Sequence, residues 1–251
     1  MLGTIIVVVA ALLALVAVLA LMGQYTFWLP GGKAAWPRLV MLHRVAPEAA
    51  SGMNMPPERF ERLLQLIKAK GYDCVTVSEL VAAQSHERVL ALTFDDGFAD
   101  NYEYAFPLLK KYGAKATIYL APDIAGIQKL SPAQITEMSA SGLIEFGAHT
   151  LHHVNLTQLD AAAAEAEIRA SRARVAELAG ECRSFAYPFG RFAAEHEKMV
   201  QAAGYDSAVS TRKKIEPLSA ANRFRLPRIS TNGTMNTLQM HIALAKGRYR
   251  L

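Results

Sequence analysis

Short apolar runs alternate with helical stripes from residue 38 onward, and this alternation restricts the fold more than any other feature. Each run is short enough to be a buried strand, and the runs are RLVMLHRV, CVTV, VLALTF, KATIYLA, LIEFGAH, SFAYPF, DSAVST and RLPRI. Between them, apolar residues recur at the spacing of one helix face. Repeated strand and helix alternation favours parallel strands covered by helices, in an α/β barrel or a doubly wound sheet.

Two of the helices are well delimited. One is expected to begin at Pro56 or Pro57 and to end at Gly71, with its buried face marked by Phe60, Leu63, Leu64 and Ile67. The other is a long helix whose buried stripe is expected to comprise Ala164, Ile168, Ser171, Val175 and Leu178.

The N-terminus carries a second constraint. Residues 5–22 are wholly apolar, and the first charged side chain is Lys33. A run of this length can cross a bilayer. A cleaved signal peptide usually has a basic start and a shorter apolar region, so we predict an uncleaved single-pass anchor in the cell membrane over residues 1–24.

A linker is expected over residues 25–37, followed by one folded domain over residues 38–251. Tyr25, Trp28 and Trp36 suit the headgroup level of a membrane, although Trp36 suits packing on the domain equally well. Lys33 and Arg38 follow the apolar run and nothing basic precedes it, which favours a cytoplasmic domain. An exported domain stays open as the alternative.

Charge and cysteine content exclude some functions. The chain has 27 Lys and Arg and a net charge of +5, but its cations are scattered, so no nucleic-acid partner is expected. Cys74 and Cys182 lack metal-site spacing and are expected to be two ordinary buried thiols, with a disulfide between them left open.

The stretch LTFDDGFADN at residues 92–101 places two carboxylates, Asp95 and Asp96, directly after a strand. Active sites of such folds gather at the C-terminal ends of strands. Gly97 allows a turn after which both side chains can face one pocket. Two adjacent carboxylates suggest a division of roles, in which one binds a metal and the other transfers protons.

His149 and His153 follow another strand and stand four residues apart. On a helical turn this spacing would put both imidazoles on one face. One carboxylate and two histidines leave coordination positions open, as a catalytic metal site requires. His152 breaks the spacing and is expected to face solvent.

Three motifs together resemble the polysaccharide deacetylase family, carbohydrate esterase family four. They are TFDDG at 93–97, HTLHH at 149–153 and FAYPFG at 185–190, and the resemblance spans roughly residues 38–232. It implies a distorted (β/α)7-type barrel and metal-dependent removal of N-acetyl groups from amino sugars. It also implies that Asp95 is the base and that Asp96, His149 and His153 bind one divalent metal, expected to be Zn²⁺ with Co²⁺, Ni²⁺ or Fe²⁺ as alternatives.

The chain departs from the usual family pattern at two positions. Ala186 stands where the third motif normally has an arginine, and the late Leu-x-His that supplies the acid is missing. In these respects the chain resembles circularly permuted members that act on exported exopolysaccharide. That resemblance implies His43 as the general acid and Arg228 as the replacement arginine.

The YPFG loop is the expected oxyanion and substrate contact, through Tyr187 and Phe189. Pro188 has no N–H, so Phe189 is the candidate backbone donor. The predicted substrate is an N-acetylated polysaccharide or lipid-linked glycan. Hydrolysis of another amide on the same fold, such as a cyclic ureide, and a catalytically silent carbohydrate-binding domain remain the alternatives. The glycan and the oligomeric state are left open.

Overall fold

The structure, a computed structural model, describes residues 2–24 and 30–250. The strands in chain order are β1 (Arg38–Leu42), β2 (Arg44–Val45), β3 (Asn54–Met55), β4 (Asp73–Cys74), β5 (Val89–Phe94), β6 (Ala116–Leu120), β7 (Ile144–Ala148), β8 (Ser184–Ala186), β9 (Ser207–Val209) and β10 (Ile229–Ser230). The helices are α1 (Leu2–Gln24), α2 (Pro57–Ala69), α3 (Val77–Ala82), α4 (Phe106–Tyr112), α5 (Pro132–Ala140), α6 (Ala161–Ala179), α7 (Ala194–Ala202) and α8 (Thr237–Lys246).

Seven strands form one parallel sheet in the order β10-β1-β5-β6-β7-β8-β9, and β4 pairs with the first part of β5. The sheet curls because Leu226, just before β10, forms a parallel bridge with Val209 of β9. Pro227 interrupts the pairing there, since proline has no N–H to donate. The predicted distorted seven-stranded barrel is therefore confirmed, and its closure is irregular between β9 and β10.

Side chains alternate between two apolar cores, as the period of a strand requires. Leu90, Leu92 and Phe94 of β5 face outward and pack in the larger core beneath the helices. Ala91 of the same strand faces inward and joins a smaller cluster inside the barrel. Positions that continue the inward face beyond the end of a strand therefore lie at the mouth of the barrel.

The helix α3 lies at the opposite, N-terminal end of the barrel and was not predicted. Val77 and Leu80 belong to the inner cluster, and the Val77 N–H donates to Thr117 Oγ1 at 2.9 Å. The run CVTV was predicted as a strand, but only Cys74 of it is in β4. Thr76 and Glu79 form a capping box, which begins a helix where the apolar run suggested extended chain.

The two helices with defined stripes are confirmed. The helix α2 has Pro57 in its first turn, buries all four predicted apolar residues, and is followed by Gly71 at a φ of 68°. The helix α6 buries Ala164, Ile168, Ser171 and Val175, with Asp160 as its N-cap, whereas Leu178 of the predicted stripe is only partly buried. The C-terminal helix α8 was not predicted, although Asn236 and Gln239 form a capping box before its apolar residues.

The N-terminal apolar run is helical, and its window Gly3–Ala20 is long and apolar enough to cross a membrane, with a mean hydropathy of 3.0. Tyr25 and Trp28 of the predicted linker lie outside the described residues. Trp36 packs against the edge of the outer core, so this end of the linker belongs to the folded domain. Cys74 and Cys182 are both free; Cys182 is buried as expected, whereas Cys74 is only partly buried.

Candidate active site

Alternation along the strands brings the predicted residues into one pocket. Leu39 of β1 and Ala91 of β5 face the barrel interior. Because the same face recurs every second residue, His43 and Asp95 continue these inward rows just beyond the two strands. His149 continues the inward row of β7 in the same way. The backbone N–H groups of Asp95 and His149 still donate to the neighbouring strands, which fixes both residues at the mouth.

Asp95 forms a bidentate pair with Arg228, and both side chains are buried. Arg228 Nη1 donates to Oδ1 at 2.6 Å and Nη2 donates to Oδ2 at 2.7 Å. Two further bonds, to the Ser210 carbonyl and to Thr93 Oγ1, hold the guanidinium in place. The structure thus supplies Asp95 with an arginine from the closing segment of the barrel.

The electrostatics of Asp95 are governed by this pair. Burial alone raises the pKa of a carboxyl. The charge of Arg228 outweighs that effect and holds the pKa of Asp95 well below its usual range. The hydrogen bonds from Arg228 and the charges of His149 and His43 lower the pKa further. The carboxylate is therefore ionised at neutral pH.

His43 lies beside this carboxylate. Its Nε2 is 4.0 Å from Asp95 Oδ2, and its side chain is 20% exposed, so it can meet a ligand at the mouth. Asn101 Nδ2 donates to the His43 carbonyl at 2.9 Å and also to Asp100 Oδ1. Asp100 in turn accepts the Val45 N–H and Arg44 Nε, so the backbone that carries His43 is fixed on both sides.

Asp96 faces the same pocket because the backbone turns sharply. Its φ is 76°, a conformation that side-chain-bearing residues rarely adopt, and Gly97 has the same φ. A Cβ at Gly97 would lie 2.6 Å from Leu120 Cδ2, so glycine is required there. Strained backbone of this kind is typical of functional sites.

Asp96, His149 and His153 form a group that could hold a metal ion, with one ligand atom of each lying within 4.8 Å of the others. Asp96 Oδ1 is buried and accepts no hydrogen bond from the described part of the chain, while His153 Nε2 and His149 Nε2 lie 3.3 and 3.6 Å away. A buried acceptor without a donor is costly. The three atoms therefore fit a cation placed between them.

The protonation states also suit a metal. Burial and the charge of Asp95 raise the pKa of Asp96 to about 6, so a cation beside this carboxylate would be favoured electrostatically. Burial lowers the pKa of His149 to about 3 and lowers that of His153 as well, which keeps both imidazoles neutral. His149 Nδ1 lies 2.7 Å from the Ala186 carbonyl and donates to it, which leaves Nε2 unprotonated towards Asp96.

The prediction that His149 and His153 share a helical turn is wrong. Residues 149–154 form a loop, in which Thr150 and His153 have φ values of 59° and 57°. The left-handed turns bring the two rings to 4.9 Å instead. Thr150 Oγ1 accepts the Val154 N–H and closes the loop, and His152 is half exposed, as expected.

Glu167, on α6, fixes this loop from outside and was missed in the sequence. Its Oε2 accepts the N–H groups of Leu151 and His152, and its Oε1 pairs with His152 Nδ1 at 2.6 Å. Nothing in the local sequence of α6 marks Glu167, because its partners lie 15 or more residues away. Asn101 and Asp100 were also missed, although both stand within the stretch that contains the two aspartates.

The YPFG loop places its two predicted residues differently. Phe189 has a φ of 58° and is 59% exposed, and the centre of its ring lies 4.7 Å from that of His153 in an edge-on arrangement. The Phe189 N–H has no hydrogen-bond partner within residues 30–250. Tyr187 does not reach the site: it lies on the outward face of β8, its hydroxyl donates to the Phe224 carbonyl, and its N–H donates to Val209. The prediction of Tyr187 as a substrate or oxyanion contact therefore needs correction.

The family model for polysaccharide deacetylase matches residues 82–208, which include Asp95, Asp96, His149, His153 and Phe189. The chain belongs to the polysaccharide deacetylase family. The resemblance seen in the three motifs is thus confirmed. His43 and Arg228 lie outside the matched residues, and the fold brings them to the same mouth of this deacetylase domain.

Three known proteins illustrate the similarity. YxkH of Bacillus subtilis, named as a polysaccharide deacetylase, is 30% identical in an alignment of 191 residues that covers 73% of this chain and 67% of that protein. The poly-β-1,6-N-acetyl-D-glucosamine N-deacetylase of Staphylococcus epidermidis is 28% identical over 74% of this chain and 71% of its own. The deacetylase PplD of Streptococcus pyogenes, solved in complex with acetate, superimposes with a TM-score of 0.72 at 26% identity, covering 80% of this chain and 94% of that one.

Proposed function

We propose that this protein is a metal-dependent de-N-acetylase that removes acetyl groups from the N-acetylated amino sugars of a glycan. The proposal rests on one observation. The possible metal-binding group of Asp96, His149 and His153, the Asp95–Arg228 pair and His43 all lie at the same end of the barrel. The S. epidermidis relative is named for poly-β-1,6-N-acetyl-D-glucosamine. A polymer or lipid-linked glycan of N-acetylglucosamine is therefore the proposed substrate class.

The metal would be held by Asp96 Oδ1, His149 Nε2 and His153 Nε2. Zn²⁺ is proposed because it favours neutral imidazole and carboxylate ligands and keeps open positions in catalytic sites, while Co²⁺, Ni²⁺ and Fe²⁺ accept the same donors. A divalent cation bound there would polarise the acetyl carbonyl as a Lewis acid.

Asp95 is the proposed general base. The Arg228 guanidinium keeps its carboxylate ionised and oriented, so the carboxylate can accept a proton from the attacking water. Arg228 acts through Asp95 and is a positioning residue.

His43 is the proposed general acid. The amide C–N bond breaks only if the sugar nitrogen receives a proton, because an amide anion is a very poor leaving group. Histidine titrates near neutral pH and can donate that proton. The partial exposure of His43 and its 4.0 Å distance from Asp95 place it at the mouth, within reach of the same acetamide.

Phe189 is proposed to contribute in two ways. Its unpaired N–H can donate to the developing oxyanion, as backbone donors do in acyl transfer. Its exposed ring, set edge-on to His153, offers an apolar surface against which the face of a sugar ring can lie. The left-handed backbone at Phe189 directs both groups from one short loop.

The proposed domain organisation is a membrane anchor over residues 1–24, a deacetylase domain over 38–251 and, between them, a linker over 25–37 whose residues 31–36 pack on the domain. The helix α1 supports the anchor by its length and its uninterrupted apolar composition. The protein is accordingly proposed to reside in the cell membrane with a single span.

The test is acetate release from defined oligosaccharides. The full chain is incubated with β-1,6-linked and with β-1,4-linked N-acetylglucosamine oligomers, after metal removal and again after Zn²⁺ is restored. Acetate released only with metal, and lost in Asp95→Asn, supports the proposal. Binding of oligomers without acetate release would indicate a carbohydrate-binding domain, and hydrolysis confined to a cyclic ureide would indicate another amidase.

A further inference from the structure

A cationic groove lies beside the first described residues after α1. It encloses about 630 Å³, and six cationic residues line it: Lys33, Arg212, Lys213, Lys214, Lys246 and Arg248. No carboxylate is among the described residues that line it. A second cavity of about 300 Å³ shares Lys213 and Arg248 with the groove and adds Arg250. Lys214 pairs with Glu216 at 3.0 Å. This face therefore carries a strong excess of positive charge.

The groove is fixed to the body of the domain. The Gly32 N–H donates to the Ala245 carbonyl at 2.9 Å, and a Cβ at Gly32 would lie 2.5 Å from Ile215 Cγ2. The Arg38 guanidinium donates to the carbonyls of Gly32 and Lys33. These bonds place residues 31–33 as a rigid wall of the groove.

The chain length keeps this wall close to the end of α1. Only residues 25–29 separate Gln24 from Pro30, and six extended steps span at most about 22 Å. If α1 crosses a bilayer, its last turn emerges into the headgroup region. The groove must then lie near the membrane surface.

We propose that the cationic groove binds the phosphate groups of anionic phospholipids and so holds the catalytic domain on the bilayer surface. Exposed Lys33, Arg212 and Lys213 supply the charge complementarity, since basic residues near an anionic leaflet are attracted to it individually. Lys33 Nζ lies 5.7 Å from the centre of the Trp36 ring, so an aromatic group suited to the interface stands beside the cations.

Residues 211–212, beside the groove, also contact Gly190 and the backbone of Arg228. The Arg212 carbonyl accepts the Arg228 N–H at 3.0 Å, and Thr211 packs so closely against Gly190 that a Cβ there would meet Thr211 Oγ1 at 1.8 Å. The proposal concerns lipid binding alone and stands whether or not the site removes acetyl groups.

The experiment measures lipid retention by the full chain. The protein is purified in a neutral detergent, exposed to phosphatidylglycerol or phosphatidylcholine, and examined by native mass spectrometry. We expect preferential retention of phosphatidylglycerol. Because each basic residue near an anionic lipid surface is worth about fivefold in affinity, K33Q/K213Q should lose about 25-fold. High salt should weaken retention in the wild type.

The matched control is K110Q/K129Q, which removes the same charge near β6, the strand opposite the closure of the barrel. Lys110 and Lys129 are exposed, and their loss should leave lipid retention unchanged. Thermal unfolding of both variants checks that each is folded. As a second measurement, acylation of Lys33 and Lys213 in nanodiscs should slow when phosphatidylglycerol is added, while that of Lys110 should not.

Equal retention of the two lipids by the wild type would overturn the proposal, and so would equal losses in both double variants. A further measurement tests whether inorganic diphosphate binds to the groove. If diphosphate binds the groove of the wild type and phosphatidylglycerol does not, the groove serves a soluble or substrate-borne anion, and the lipid proposal fails. None of these readouts depends on turnover, so they are independent of the proposed deacetylation.

Discussion

Arg228 and Asp95 meet through two parallel hydrogen bonds of 2.6 and 2.7 Å, and neither side chain is more than 3% exposed. Arg228 is the largest fully buried side chain of the domain. It enters from the segment that closes the barrel between β9 and β10, whereas Ala186 of β8 contributes only a carbonyl, to His149. The guanidinium thus comes from the residue just before β10, whereas the third family motif would place an arginine at position 186 of β8.

We expect Arg228→Ala to destabilise the domain by about 3–5 kcal/mol, because it leaves the Asp95 carboxylate buried without its cation. Chemical denaturation measures the change. Arg228→Lys should retain part of the stability, since lysine restores the charge but not the paired geometry. Arg225→Ala is the control, because Arg225 makes a partly exposed ion pair with Glu197 and its loss should cost about 1 kcal/mol or less. Equal stability of Arg228→Ala and Arg225→Ala would contradict a structural role for the buried pair.

The same pair predicts how stability depends on pH. The pKa of Asp95 is lowered in the folded state, so its contribution is present above the unfolded value of about 3.9 and is lost as pH falls through the folded value. Without Arg228, burial would instead raise the pKa of Asp95, and the variant would lose stability as pH rises. The difference in unfolding free energy between wild type and Arg228→Ala should therefore widen from about pH 4 to neutral pH. A difference that stays constant over that range would show that Asp95 does not respond to Arg228.

If Asp96, His149 and His153 bind a metal ion, two variants should lose it. His149→Ala and His153→Ala each remove one of the three proposed ligand atoms, so both should lower the metal content from the expected one per chain to almost none, and activity should fall with it. Elemental analysis of the purified chain gives the content directly. His152→Ala is the matched control, because His152 lies between the two ligands but turns outward to Glu167. Full metal content in both ligand variants would mean that the site lies elsewhere.

The period of the strands explains which site residues could be predicted. His43, Asp95 and His149 follow strands whose inward rows can be counted from the sequence, and the same count places Tyr187 on the outward face of β8. Tyr187 was predicted as a substrate contact because it belongs to the YPFG loop. Its position in the alternation of inward and outward side chains was not considered, and for that reason the prediction failed. The pairing of His149 with His153 was expected for the wrong reason, because spacing alone does not distinguish a helical turn from a left-handed loop.

Other parts could not be predicted because they depend on distant contacts. Glu167 fixes the histidine loop from the middle of α6, and its separation from Leu151 is 16 residues. The partner of Arg228 is 133 residues away, and only the closure of the barrel brings the two together. In contrast, α3 and α8 both begin with a capping box that is visible in the sequence, so both helices were predictable from it.

The N-terminal helix predicts firm membrane attachment. The intact protein should stay with membranes after washing with high salt or at alkaline pH, since neither extracts a spanning helix. Fractionation followed by immunoblotting measures this. Release into the soluble fraction, or a mature N-terminus beyond Met22, would show that α1 acts as a signal sequence.

Replacement of His43 separates proton donation from metal binding. If His43 protonates the leaving nitrogen, His43→Ala should lower kcat by about 10²- to 10⁴-fold, the usual contribution of a positioned general acid, with a much smaller effect on KM. Metal content should stay at one per chain, because His43 is not among the three ligands. The alkaline fall in kcat/KM should also disappear, since the group that must start protonated is gone.

His196→Ala is the control. His196 is buried on α7 and accepts the Ala193 N–H, so its loss should affect stability rather than the alkaline limb of the pH profile. Unchanged turnover in His43→Ala would exclude His43 as the acid, and unfolding of that variant would make the histidine a structural residue.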